Sequence, residues 1–382
     1  MRVLTFLHSF EPGGVERVAL RLVRAWRAQG IDAPLLMGRA DGAMRQEMAA
    51  GLSYEVPRQP FRTDWIETLW MIAMLPGTIR RLKPDALFCA GNSYTIVALA
   101  MKLLLGRRCP PIIAKISNDL ERRDMFPPVR WLYRGWLHLH GYFIDHFVGM
   151  EGPMAAEIVA AIPAAAGHVT IIPDPALNEA QLMRLHHAFR PADNELREGL
   201  RFVAIGRLAA QKNLALMVRA FAASAGERDR LDIFGDGPER AALQGLTRKL
   251  GLANRVAFRG HVPDPASHLA QFDIFLLSSD YEGVPAVIIE AMAAGLPIIA
   301  TRCSQSMRAL TGDGTLAHLV EPGDLEEFSA AIRDVGHLRQ DRTASMTQAR
   351  RFTVERASHA YLACFRDARR VAAPHNNFAA ID

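Results

Sequence analysis

The sequence has little of what would carry a chain into or across a membrane. No stretch reaches the roughly 18 to 20 apolar residues that span a bilayer. The longest candidates, Trp65 to Leu75 and Tyr94 to Leu105, are each interrupted by a charged residue and are predicted to be core helices. The start, Met1 to Leu7, lacks the basic first part and the long apolar core of a signal peptide. We therefore expect a cytoplasmic protein.

Cysteine is scarce, and its spacing fits neither a disulfide scaffold nor a zinc site. The four cysteines are scattered at Cys89, Cys109, Cys303 and Cys364, which favours a reducing compartment. No Asp-x-Asp motif is present, Asp280-Tyr281-Glu282 is the nearest approach to one, and the histidines show no ligand spacing. The sequence therefore offers no recognisable metal-binding motif.

The dinucleotide-binding fingerprint is also missing. The loop Gly235-Asp236-Gly237-Pro238 follows an apolar strand, but Arg240 stands where the third glycine should be. This departure argues against a nicotinamide enzyme.

The 382 residues, half of them hydrophobic, are enough for two ordinary domains. Strand-length apolar runs alternate with helical patterns, and the alternation restarts after the polar stretch Pro173 to Gly199. This order predicts two doubly wound α/β domains. The predicted strands are Val3 to Leu7, Ala33 to Met37, Ala86 to Cys89, Ile112 to Ile116 and Phe143 to Gly149, then Phe202 to Ile205, Leu231 to Phe234, Val256 to Phe258, Ile274 to Leu277 and Ile298 to Ala300.

Two glycine-containing loops follow predicted strands, where doubly wound sheets bind ligands. Gly206-Arg207 comes directly after one strand, and Lys212 precedes the next helix, so two cations flank a helix amino terminus. That arrangement suits a diphosphate, although basic residues are common in surface loops. In the first half, Gly13-Gly14 opens a helix whose free amino terminus is another candidate anion site, or a plain turn.

Glu282 and Glu290 are separated by seven residues at a predicted strand-to-helix junction. Pro285 is predicted at the first helical position, and Gly295 ends the helix. Because the helix is apolar nearly all round, Glu290 needs a polar partner, either ligand hydroxyls or an arginine. Glu282 is a candidate site residue or a simple helix cap.

The segment 102–143 combines basic and aromatic residues. It holds eight basic and three acidic residues, together with Trp131, Tyr133, Trp136 and Tyr142. This composition suits an anionic membrane surface, or a solvated helix whose tryptophans face the core. We predict no nucleic-acid binding, because no recognised motif accompanies the basic residues.

Taken together, these motifs resemble a family 4 retaining glycosyltransferase with the GT-B fold, α/β with two Rossmann-like domains facing each other across a cleft. The resemblance spans nearly the whole chain and is most specific in the second half. It rests on Gly13-Gly14, Gly206-Arg207 with Lys212, Phe234 to Pro238, Phe258-Arg259-Gly260-His261, and Glu282-Gly283 followed by Glu290 to Pro297.

The resemblance implies an acceptor-binding domain at 1–174 and a nucleotide-sugar-binding domain at 175–354. It further implies a helix at 355–371 that returns to the first domain, and a tail at 372–382. Arg207 and Lys212 would bind the diphosphate, Glu290 the ribose hydroxyls and Glu282 the transferred sugar. The remaining donor contacts would come from Gly206, from Gly260, His261 and Val262 against the nucleobase, and from Gly13 and Gly14 over the phosphates and sugar.

The chain departs from the family pattern after the strand Ile112 to Ile116. Many relatives carry a histidine or aspartate there, and this chain offers Asn118 and Asp119. Asp119 would orient an acceptor hydroxyl or act as a base, or else serve in a turn.

The function that follows is a metal-independent retaining transferase without a cofactor. It would move a hexose from a nucleotide sugar (UDP or GDP) to a glycan or lipid-linked acceptor in cell-surface polysaccharide or lipopolysaccharide assembly. We expect the protein in the cytoplasm, with peripheral association at the inner face of the membrane. The alternatives are a GT-B nucleotide-sugar epimerase or hydrolase, and a non-catalytic peripheral membrane protein.

Overall fold

The computed structural model describes residues 1–11, 13–42, 44–59, 63–117, 120, 126–188, 199–304, 306–338 and 340–372. Two compact units are present. The first is Met1–Pro175 together with the chain from Val354 onward, and the second is Ala176–Thr353. Each unit contains one six-stranded parallel sheet, as predicted for doubly wound α/β domains.

The sheet of the first unit has the order β2-β1-β3-β4-β5-β6. Its strands are β1 (Val3–Leu7), β2 (Leu35–Met37), β3 (Ala86–Cys89), β4 (Ile112–Lys115), β5 (His146–Gly149) and β6 (Val169–Ile171). Its helices are α1 (Gly14–Ala28), α2 (Arg45–Met48), α3 (Glu67–Leu82), α4 (Thr95–Leu105), α5 (Pro127–Phe143) and α6 (Gly152–Ala161). The chain leaves β1 for β2 on one side and later builds β3 on the other, so the topological switch point lies between β1 and β3.

The second sheet has the order β12-β11-β10-β7-β8-β9, with its switch point between β7 and β10. Its strands are β7 (Arg201–Ile205), β8 (Arg230–Phe234), β9 (Val256–Gly260), β10 (Ile274–Leu277), β11 (Ile298–Thr301) and β12 (His318–Val320). Its helices are α7 (Glu179–Ala188), α8 (Leu214–Ser224), α9 (Arg240–Lys249), α10 (Ala286–Ala294), α11 (Ser306–Leu310), α12 (Leu325–Arg333) and α13 (Arg342–Arg350).

The chain then returns to the first unit as α14 (Val354–Ala372), which packs on α1. The Trp26 ring of α1 meets Phe365 with centroids 5.2 Å apart, and Phe88 of β3 meets Tyr361 at the same distance. These edge-to-face contacts bury large apolar area in a defined geometry. The helix therefore completes the aromatic core of this unit.

Helix α10 shows why the Glu282–Glu290 segment folds as it does. Pro285 is the N-cap rather than the first helical residue, and Gly295 ends the helix in the left-handed region at φ +74. Six of the nine helical residues are buried, as expected for a helix apolar nearly all round. The short helix therefore holds Glu290 on a fixed, well-packed element.

Some element boundaries differ from the sequence prediction. Phe143 ends α5, and β5 begins only at His146, because the apolar residues continue the helical pattern up to the turn. The short strands β6 and β12 were not predicted from the sequence.

The predicted core helix Trp65 to Leu75 is only partly buried. Trp65 precedes α3 and is exposed, as is Leu69, whereas Met71 and Leu75 are buried. No helix within the described ranges is long and apolar enough to cross a bilayer.

Candidate active site

Two loops of the second unit meet at its switch point, one after β7 and one after β10. Residues 206–213 form the first, and residues 278–283 form the second. Four hydrogen bonds join them: Asp280 N–H to Gln211 O at 2.9 Å, Gln211 Nε2 to Tyr281 O at 2.8 Å, Ser278 Oγ to Lys212 O at 2.9 Å, and Asn213 Nδ2 to Asp280 Oδ1 at 2.8 Å. The two loops therefore form one braced surface.

On this surface the Lys212 ammonium contacts Oε1 of Glu282 in an ion pair. Only 19% of the lysine side chain and 13% of the glutamate side chain are exposed. The Ser279 hydroxyl donates to the same glutamate oxygen at 2.8 Å. A largely buried cation and carboxylate thus lie side by side where a ligand of this sheet would bind.

Glycine is required where the ends of β7 and β8 approach each other. Gly235 has φ +131, and a Cβ there would lie 1.9 Å from the carbonyl oxygen of Gly206. Gly206 itself lies beneath the lysine, because a Cβ on it would be 3.4 Å from Cε of Lys212. The bare backbone at this edge leaves room for a ligand to approach.

The other predicted donor-binding residues of this unit lie on the first loop, on α10 and at the end of β9, where the Gly260 carbonyl accepts from the N–H of Gly235 at 2.8 Å. Arg207 is exposed in the first loop, and within the described residues no hydrogen bond or ion pair holds its side chain. Glu290 is half-buried on α10. Gly260 ends β9 with φ +73, followed by exposed His261 and by Val262, which packs on the apolar core.

In the first unit, the amino terminus of α1 already carries a carboxylate of its own. Gly13 is the N-cap, and Gly14 is the first helical residue. Oε2 of Glu16 lies 1.9 Å from where a Cβ on Gly13 would be. The first turn of α1 thus places its own negative charge beside the helix end that the sequence analysis predicts as an anion site.

A polar cluster beside this helix end was missed by the sequence analysis. The buried Tyr94 hydroxyl donates to Oε1 of Glu16 at 2.7 Å, and the His8 ring lies 4.6 Å from the Tyr94 ring. Burial, and secondarily Arg39, lower the pKa of His8 to about 4. The available signals were the position of His8 directly after β1 and of Glu16 in the first turn of α1.

The predicted acceptor-side residues Asn118 and Asp119 lie outside the described residues. Among the residues that are described, no group of three or more His, Cys, Asp or Glu side chains is arranged to hold a metal ion. The four cysteines are all free and buried.

Models of known protein families match both units of the chain. The model of Glycosyltransferase Family 4 matches residues 12–175, and the model of Glycosyl transferases group 1 matches residues 199–337. The chain belongs to the group 1, family 4 glycosyltransferases.

Two relatives come from Rhizobium meliloti. The lipopolysaccharide core biosynthesis glycosyltransferase LpsD is 28% identical over 371 residues, which cover 94% of this chain and 96% of that protein. The lipopolysaccharide core biosynthesis glycosyltransferase LpsE is 35% identical over 133 residues, but the match spans only 35% of this chain and 38% of that protein.

A solved structure shows the same fold. HepE of Anabaena, crystallised in complex with UDP, superposes with a TM-score of 0.75 at 19% identity, covering 96% of this chain and all of that one (100%). This likeness confirms the GT-B fold predicted from the sequence motifs.

Proposed function

We propose that the protein transfers a hexose from a nucleotide sugar, with UDP or GDP as the carrier, to a glycan or lipid-linked acceptor in cell-surface polysaccharide or lipopolysaccharide assembly. The observation that carries the proposal is the pairing of Lys212 with Glu282 above Gly206, at the carboxyl end of β7. A cation for phosphate and a carboxylate for sugar hydroxyls are placed together on a braced surface.

The proposed chemistry follows from how charge develops when a sugar-to-phosphate bond breaks. Negative charge grows on the leaving diphosphate, and Arg207 and Lys212 would stabilise it because they are cations on fixed loops. Removing one such partner typically costs about 3 to 4 kcal/mol in the transition state, or roughly 100-fold to 1000-fold in rate. Glu282 would bind the transferred sugar, and Glu290 would accept hydrogen bonds from the ribose hydroxyls.

The remaining donor contacts belong to the loop after β9 in this proposal. Gly260, His261 and Val262 would lie against the nucleobase. Gly260 is in the left-handed region at φ +73, so its backbone turns sharply at the strand end. The HepE complex with UDP supports a nucleotide in this fold.

We propose that the reaction retains the anomeric configuration and needs neither metal nor cofactor. The leaving phosphate oxygen would assist deprotonation of the acceptor hydroxyl, and the two basic side chains would take the place of a metal in neutralising charge. Asp119 and Asn118 remain the candidates for orienting the acceptor.

A second part of the proposal is docking on an anionic membrane surface at the cytoplasmic face. On α5, Trp131 is 74% exposed and Tyr142 is 79% exposed, whereas Trp136 is half-buried. Leu132 and Arg134 are both exposed on α5, and Leu103 of α4 and Arg108, which follows that helix, are exposed as well. Outward aromatic rings with neighbouring cations suit the interface of an anionic bilayer. Such a location would bring the enzyme to a lipid-linked acceptor.

Transferase activity is favoured over the epimerase and hydrolase alternatives because the full-length relative LpsD is named a glycosyltransferase. A non-catalytic peripheral protein would not need the Lys212–Glu282 arrangement.

The test is a thermal-shift screen against UDP, GDP and ADP, and against their common hexose conjugates. A ligand that binds only the native state raises the melting temperature with the logarithm of its concentration over its dissociation constant. We expect one base to be selected, and we expect Glu290→Ala to abolish that shift while melting cooperatively. The control Glu55→Gln removes an exposed carboxylate of the first unit that pairs with Arg81, and it should leave the shift unchanged. If no nucleotide stabilises the protein at millimolar concentration, the proposal is wrong.

A further inference from the structure

The two side chains that the proposed function assigns to different parts of the donor bind each other in the unliganded protein. Lys212 is assigned to the diphosphate and Glu282 to the transferred sugar, yet their charged ends are in direct contact. A donor phosphate therefore competes with Glu282 for the Lys212 ammonium, and a sugar hydroxyl competes with Lys212 for the Glu282 carboxylate. The cost depends on what each side chain gains in exchange.

When a donor binds, only the side chains of Lys212 and Glu282 need to change partners. The four hydrogen bonds between the loops use backbone carbonyls of Gln211, Tyr281 and Lys212 and an N–H of Asp280, together with side chains other than the ion pair. The N–H of Glu282 also donates to the carbonyl oxygen of Cys303 at 2.9 Å, which ties the Glu282 backbone to the segment that follows β11. The backbone therefore stays in place while the ammonium and the carboxylate change partners.

A nucleoside diphosphate and a nucleotide sugar differ in whether they offer new partners to both Lys212 and Glu282 or to Lys212 alone. The diphosphate alone offers Lys212 a new anion but offers Glu282 nothing. The Glu282 carboxylate, with 13% of its side chain exposed, would keep the Ser279 hydroxyl as its one side-chain partner among the described residues and would face an approaching anion. A largely buried carboxylate without a cationic partner is costly in free energy. A nucleotide sugar supplies phosphate to the lysine and hydroxyl donors to the glutamate, so both charges find partners.

We propose that the Lys212–Glu282 ion pair makes the donor site discriminate against the nucleoside diphosphate product and in favour of the intact nucleotide sugar. Once the hexose has left, Glu282 loses its sugar partner and competes with the diphosphate for Lys212. Re-formation of the ion pair then promotes product release. This inference rests on the proposed function and adds a selectivity to the same site.

The experiment compares affinities by titration calorimetry on the full chain, using UDP and UDP-hexose, or GDP and GDP-hexose if the screen selects guanine. The informative variant is Glu282→Gln, which keeps the shape of the side chain and removes its charge. We expect it to bind the nucleoside diphosphate about 10-fold more tightly than the wild type does, which corresponds to about 1.4 kcal/mol. The affinity of this variant for the nucleotide sugar should not increase. The ratio of nucleotide-sugar affinity to nucleoside-diphosphate affinity should therefore be smaller than in the wild type. Glu55→Gln serves as the matched control, with both affinities unchanged.

A double-mutant cycle separates this mechanism from general charge repulsion. Lys212→Met should weaken diphosphate binding, and adding Glu282→Gln to it should restore little, because no ion pair is left to break. If Glu282→Gln leaves the diphosphate affinity unchanged or lowers it, the inference is overturned. It is also overturned if the gain is the same with and without Lys212. In either case nucleotide-sugar binding by the wild type leaves the proposed function standing, whereas a wild type that binds no nucleotide removes both.

Discussion

Tyr94 and Glu16 are joined by a hydrogen bond of 2.7 Å although 78 positions separate them in the sequence. The bond ties the turn after β3 to the first turn of α1, across the switch point of the first unit. Burial and then the neighbouring carboxylate raise the pKa of Tyr94 well above its ordinary value, so the phenol stays protonated and donates. Glu16 therefore lies at the amino end of α1 and also connects this helix to the turn after β3.

Replacing Tyr94 by phenylalanine should therefore destabilise the first unit. The variant removes the only atom by which this side chain donates to Glu16, and a hydrogen bond to a charged group contributes about 1.5 to 3 kcal/mol. We expect the free energy of unfolding in urea to fall by that amount. The matched control is Tyr142→Phe, whose side chain is exposed and which should change stability by less than about 0.5 kcal/mol. Equal effects in the two variants would contradict the role of the buried bond.

Gly235 should tolerate no side chain. Alanine there would adopt a left-handed conformation and place its Cβ 1.9 Å from the Gly206 carbonyl oxygen, so the strand ends must move apart. We expect Gly235→Ala to cost at least about 2 kcal/mol and to weaken nucleotide binding. Gly245→Ala is the control, because Gly245 lies within α9 with nothing near its Cβ position. That change should stabilise the protein by about 0.5 to 1 kcal/mol, and binding should be unaffected.

Stability should decrease in mild acid because of two histidines of the first unit. Burial lowers the pKa of His8 and of His140 to about 4, and Arg39 contributes to the shift at His8. In the unfolded chain both titrate near pH 6.5. Between that pH and about 4, the unfolded state therefore binds more protons than the folded state. The free energy of unfolding then falls as the pH falls, by on the order of 3 kcal/mol per histidine over the whole window.

The variant His140→Leu isolates one of these contributions. Neither nitrogen of the His140 ring has a hydrogen-bond partner among the described residues, so an apolar side chain loses no bond there. Urea unfolding at pH 7 and pH 5 should show a smaller pH dependence than in the wild type. His138→Leu, on an exposed position of the same helix, should leave the dependence as it is. If the free energy of unfolding of His140→Leu depends on pH as steeply as that of the wild type, the His140 ring is not buried in its neutral form.

Membrane docking can be measured by co-sedimentation with vesicles of phosphatidylcholine, with and without phosphatidylglycerol. We expect binding only to the anionic vesicles, and we expect added salt to weaken it, because exposed arginines supply part of the attraction. Removing two exposed apolar side chains in Trp131→Ala with Leu132→Ala should reduce the affinity at least about 10-fold. The control pair Leu250→Ala with Leu325→Ala removes exposed apolar groups from the second unit. Equal losses from both pairs would show that α5 is not the docking surface.

Much of the fold can be predicted from the sequence, because a strand can be recognised from its apolar run and from the polar or loop-forming residues that end it. Val3–Leu7 and Ile274–Leu277 are observed with the predicted bounds, since each is a compact apolar run that ends at a polar or loop-forming residue. His318–Val320 has too few residues to form a recognisable pattern, and it becomes a strand only because it pairs with β11.

The candidate site was harder to predict than the strands. Lys212 and Glu282 could each be singled out from their place after a strand, but their ion pair depends on how two loops 70 residues apart are braced. The Tyr94–Glu16 contact was missed for the same reason, since neither residue carries a local signal for the other. Long-range polar contacts of this kind follow from topology and packing.

Helix α14 has a consequence for how the chain is made. The second unit is one continuous stretch, Ala176–Thr353, whereas the first needs a helix that only begins at Val354. Synthesis proceeds at about 5 to 20 residues per second, so the second unit can fold on the ribosome before the first has its last helix. Until then Trp26 and Phe88 lack Tyr361 and Phe365 as packing partners. A ribosome that stalls before Val354 should therefore hold a nascent chain with an uncovered aromatic face, a natural target for chaperones.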